Sequence, residues 1–100
     1  MPQLTMEVSH ALGQEQALER LKEKFSMAKD AYRAHLSEFR EQWNQSTLDF
    51  GFRAAGMNVS GTLAVEAAAV RLHAELPWAA MMFKGMIEKQ VREELGKLLT

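Results

Sequence analysis

The middle of the chain alternates. Leu48, Phe50 and Phe52, then Val59, Leu63 and Val65, then Val70, Leu72, Ala74 and Leu76 fall on alternate positions, with Asp49, Arg53, Ser60, Thr62, Arg71, His73 and Glu75 between them. Period two sends successive side chains to opposite sides of a pleated strand, so such a chain buries one sheet face and wets the other. Gly56 and Asn58 punctuate the first connection and residues 67–69 make a short second one, which predicts antiparallel neighbours in a meander. Gly61 inside a strand marks a bend or a close helix more often than a ligand. A sheet with one apolar face needs cover, and the flanking segments must supply it.

Leu4, Met6 and Val8 alternate with Thr5, Glu7 and Ser9, predicting a first strand from about Leu4 to Ser9. After Gly13 the period changes. Leu18, Leu21, Phe25, Ala28 and Tyr32 recur at three and four, with charged residues on the outer side, predicting one long amphipathic helix. Its end falls between Tyr32 and Trp43, where Leu36, Phe39 and Trp43 fit helical spacing as well as a strand "SEFREQWN", and no Gly or Pro arbitrates. We read a strand. The predicted order is β-α-β-β-β-β-α, an α+β fold in which two helices pack on one face of an antiparallel sheet of about five strands, with residues 1–100 forming one domain.

The last helix carries more apolar surface than a core needs. In "LPWAAMMFKGMIEKQ", at about 100° per residue, Ala80, Phe83, Ile87, Val91, Leu95 and Leu98 form one full-length stripe, the expected core face. Trp78, Met82 and Met86 fall almost opposite, in a second stripe that Lys89 and Glu93 end. Two readings stand: burial of the helix start on two sides, against the sheet and the long helix, or an adaptable apolar contact surface.

Hydrophobic content of 47% and charged content of 25% in 100 residues describe an ordinary globular domain. There is no cysteine, so disulfides, thiolate metal sites and thiol nucleophiles are excluded together. A net charge of −1 without a basic run argues against nucleic acid as a partner. No segment reads as a signal peptide or a membrane span, which predicts a cytoplasmic protein with no transmembrane segment.

"SHALG" before the charged helix, Trp43 shortly before "TLDF", "GTLAV" (Gly61 to Val65) and "FKGMIEKQVREEL" (Phe83 to Leu95) together resemble the small bacterial polyhydroxyalkanoic acid system family. The similarity spans nearly the whole length, with residues 27–42 longer than the family pattern and lacking the glycine usual before the second strand. The resemblance implies a setting in polyester storage metabolism and its granules, and no defined activity.

Chemical candidates are sparse. His10, His35 and His73 are scattered, and no catalytic triad, phosphate loop, nucleotide fingerprint or metal-ligand spacing is present, so no catalytic residue, metal or cofactor is expected. Glu7, Asp49, Arg71, His73 and Glu75 share the wet sheet face, where alternating charges read as cross-strand pairs. The favoured reading is a non-catalytic module that binds a hydrophobic surface through Trp78, Met82, Phe83 and Met86. A second copy of the chain, a lipid-like ligand or a hydrophobic particle would fit such a surface. The alternative is a small pocket protein for an acyl or hydroxyacyl ligand, which could support an enzyme. A five-stranded sheet is expected to leave little room for such a cavity.

Overall fold

The computed structural model describes residues 3–54 and 56–100. The chain runs through β1 (Gln3–Ser9), α1 (Gln14–Ala31), β2 (Leu36–Asn44), β3 (Thr47–Ala54), β4 (Met57–Val65), β5 (Ala69–Glu75), a 3₁₀ segment (Trp78–Phe83) and α2 (Lys84–Leu98). The strands form one antiparallel sheet in the order β1-β5-β4-β3-β2. Strands β2 to β5 are a meander, and α1 carries the chain from one sheet edge to the other.

The alternation predicted from sequence sets the register. Trp43, Leu48, Leu63, Leu72 and Met6 stand opposite one another across all five strands, and Val65, Val70 and Val8 form a parallel row. Leu48, Leu63, Val65, Val70 and Leu72 are buried, and Ala17 and Leu21 of α1 and Leu99 beyond α2 close over them. Asp49 and Arg71 lie on the open face. Phe50 and Phe52, expected in the buried set, are only half-buried. They lie toward the β2 side of the sheet, where cover comes from the Phe25 and Phe39 rings, with centroids 5.4 to 6.5 Å apart through the cluster.

Gly61 sits between Phe50 and Ala74 on this face. A Cβ there would strike the His73 carbonyl oxygen and lie 2.9 Å from Ala74 Cα and 3.0 Å from the Phe50 ring. The close neighbour is therefore the adjacent strand and an aromatic ring, not the helix expected from sequence. Gly61→Ala should cost about 1 to 3 kcal/mol through overpacking, measured as a lowered denaturation midpoint. An unchanged midpoint would show that β4 and β5 have slack at this position.

The ambiguous junction after α1 has a simple geometry. The Tyr32 N–H donates to the Ala28 carbonyl at 3.0 Å, and the His35 and Leu36 N–H groups donate to the Tyr32 carbonyl at 2.9 and 3.1 Å, turning the chain into β2. Tyr32 stands past the last helical turn and is exposed, although its spacing placed it on the buried stripe. In β2 a bulge lies between Ser37 and Arg40, where Glu38 adopts φ 51°. The extra residue lets Leu36, Phe39 and Trp43 share one sheet face at intervals of three and four. A bulged strand thus imitates helical spacing.

Two contacts fix the ends of α1. Gln14 Nε2 donates to the Val65 carbonyl at 2.9 Å and to Ser46 Oγ at 3.1 Å. At the other end Lys29 Nζ reaches Glu41 Oε1 at 2.9 Å, and Trp43 Nε1 donates to Glu41 Oε2 at 2.9 Å. The Lys29 hydrogen bond is the main cause that holds the Glu41 carboxyl below the ordinary 4.5. A carboxylate with a depressed folded-state pKa stabilises the fold above its unfolded value and loses that contribution as pH falls through the folded value. Acid melts should therefore show a component below pH 4.5 that Glu41→Gln removes; an identical acid profile in the variant would show that the contact is not maintained in solution.

Candidate functional site

The apolar excess of the last helix is set by how that helix starts. Pro77, at φ −66° and ψ 155°, leaves β5 in an extended conformation, and the chain then winds tightly. The Ala80 N–H donates to the Pro77 carbonyl at 2.9 Å, and the Lys84 N–H donates to the Met81 carbonyl. Leu4, Ala74 and Leu76 form a small buried platform, with Ala80 and Ile87 packed on it.

A 3₁₀ helix advances about 120° per residue against about 100° in an α-helix, so by Lys84 the phase has slipped by roughly 100°. The slip turns Trp78 and Met82 relative to α2 but leaves the angle between Phe83 and Ile87 unchanged. Exposure is 72% at Trp78, 87% at Met82, 52% at Phe83 and 65% at Met86, and Met81 is exposed as well. Burial on two sides is thereby ruled out for the isolated chain. The tighter winding spreads these side chains around the axis, so they form a broad apolar cap instead of one line.

Beyond Phe83 the expected core stripe holds: Ile87, Val91, Leu95 and Leu98 are half-buried. No residue of α2 is fully buried. The helix is tied down at its end, where Arg20 Nη1 donates to the Leu98 and Thr100 carbonyls at 3.1 and 2.6 Å, and along its side, where Arg92 donates to the Glu7 carbonyl at 3.3 Å. Because α2 rests on β1 while α1 rests on β4, a space opens between the helices and the sheet. This cleft, of about 340 Å³, has Leu21, Phe25, Leu48, Leu63, Val91 and Leu95 among its walls and Lys24, Gln90 and Glu94 at its rim. The sequence led us to expect little room for such a cavity, and the structure corrects this. Its wall residues read as ordinary core positions, and only the small Ala28 in the α1 stripe hinted at unfilled volume.

Of the polar candidates, Glu7, Arg71, His73 and His10 make structural contacts. Arg71 lies between Glu7, its cross-strand partner, at 3.1 Å and Glu66 at 2.7 Å, and the Glu66 hydrogen bond is the main cause raising its pKa. His73 meets Thr5 Oγ1 at 3.2 Å. The Leu12 N–H donates to His10 Nδ1 at 3.2 Å, which leaves Nε2 as the protonated nitrogen, donating to the Glu66 carbonyl at 3.1 Å. His35 is exposed in the turn after α1. Arg40, Asp49, Thr62, His73 and Glu75 border a hollow of about 610 Å³ on the open sheet face. Among the described residues no three His, Asp or Glu side chains are grouped to hold a metal ion.

A family profile described as "Putative polyhydroxyalkanoic acid system protein" matches residues 4–99. The chain belongs to this family. No curated protein and no solved structure matches it significantly. The matched residues include all of the 3₁₀ segment and α2, and so the whole apolar cap. No helix of the described residues is long and apolar enough to cross a membrane.

Proposed function

We propose that this polyhydroxyalkanoic acid system protein is a non-catalytic module that adheres to an apolar surface through Trp78, Met82, Phe83 and Met86. The surface we assign is that of polyhydroxyalkanoate storage granules, which would place the protein in the cytoplasm. One observation carries the reading: four large apolar side chains, each more than half exposed, project from one short segment set on a rigid platform. Scattered exposed apolar residues are normal on a soluble protein, whereas a contiguous run of this kind marks an interaction site. Methionine suits a contact that has no fixed shape, since its unbranched side chain adapts to irregular surfaces. The family supplies the polyester setting.

The experiment is co-sedimentation of the purified protein with amorphous polyhydroxyalkanoate particles and with hydrophilic beads of similar size. Retention on the polyester alone supports the reading. Equal recovery with both, or with neither, overturns it. A concentration-dependent dimer that hides the four side chains would instead make a second copy the occupant.

A further inference from the structure

We propose that the cleft between α1, α2 and the sheet binds the hydrocarbon chain of an unbranched carboxylic acid of about ten carbons, with the carboxylate against Lys24. This goes beyond adhesion through the apolar cap, because the cleft lies between the helices and has its own mouth. Its volume of about 340 Å³, at roughly 30 Å³ per water-sized group, holds on the order of ten chain atoms. The walls are aliphatic and aromatic carbon from Leu21, Phe25, Leu48, Leu63, Val91 and Leu95. Two helices laid side by side on a sheet enclose a slot, a shape that suits a straight chain better than a compact ring system.

The rim sets the head group. Lys24 Nζ faces Glu94 Oε2 at 3.5 Å, with both side chains about half exposed. A tight charged hydrogen bond is about 2.7 to 2.9 Å, so this pair is loose and a ligand carboxylate can take its place on the ammonium. The neighbouring Lys29 is already held by Glu41 at 2.9 Å, which leaves Lys24 as the rim cation for the ligand. No residue of α2 is fully buried, so its side chains beside the cleft are not locked into a packed interior.

Calorimetric titration of the native protein with hexanoate, octanoate, decanoate, dodecanoate and the neutral decan-1-ol, each below its aggregation threshold, tests the site. Affinity should rise about fourfold per methylene, corresponding to about 0.8 kcal/mol, and level off near decanoate. Lys24→Gln should weaken decanoate several-fold and leave decan-1-ol unchanged. Leu95→Trp should fill the slot and abolish both. Should Leu95→Trp fail to fold, the chain-length series on the native protein still decides. Absence of saturable binding, or an affinity that climbs as steeply from decanoate to dodecanoate as before, overturns the site, and equal affinity for decanoate and decan-1-ol overturns the role of Lys24. Decanoate binding that vanishes in a Trp78→Gln, Met82→Gln, Met86→Gln triple variant would move the ligand to the apolar cap. Retained decanoate binding with lost particle adhesion in that variant separates the two sites.

Discussion

Replacing Trp78, Met82 and Met86 together by glutamine should leave the thermal midpoint within a few degrees of the native value and abolish retention on polyester particles. The three side chains are 65 to 87% exposed, so the fold loses little burial when they become polar. Glutamine has nearly the helix propensity of methionine, and the winding of the segment is unaffected by that choice. The contact, in contrast, would lose most of its apolar area. Burying a large apolar side chain is worth about 1.5 to 3 kcal/mol. Even half of that at each of three positions amounts to roughly a hundredfold in affinity. A thermal melt and particle co-sedimentation on the same sample separate the outcomes. A collapsed midpoint would show that the segment is core in solution, and undiminished retention would show that another face makes the contact.

Leu48→Ala should be the most damaging single truncation. Leu48 is 1% exposed, between Trp43 and Leu63 in the row that crosses all five strands. Leu→Ala in such a place costs about 2 to 5 kcal/mol through lost transfer energy and the cavity left behind. Total stability for a domain is about 5 to 15 kcal/mol, and each kcal/mol moves the midpoint by about 4 to 8 °C at this size. The variant should therefore melt more than about 10 °C below the native protein. Leu95→Ala is the matched control. The same chemistry on α2, at a half-buried position beside the cleft, should cost less than half as much. Equal losses in the two variants would mean that α2 is packed as tightly as the sheet, which would also remove the slot.

Most of the fold was legible because a one-faced sheet writes itself at period two. Within each of β3, β4 and β5 a residue's side follows from its parity, and the registers that result are those the apolar pattern demands. The order of elements and the pairing of the helices with one sheet face follow from the same local rule. The end of α1 was harder to read, since Leu36, Phe39 and Trp43 repeat at three and four. Only the bulge at Glu38 shows how a strand can do so.

What the sequence by itself determined, then, is the layer architecture, the central core and the existence of an apolar excess around Trp78, Met82 and Met86. Each of these depends on neighbours along the chain. Tertiary structure alone decided for Phe83, which the sequence put both on the core stripe and among the contact residues: the platform of Leu4, Ala74 and Leu76 takes up Ala80 and Ile87 and leaves Phe83 exposed. It also decided that a cleft remains between the two helices and the sheet. That gap depends on where α1 and α2 land on β4 and β1, a placement made by long-range contacts, so residues that read as ordinary core line a cleft instead.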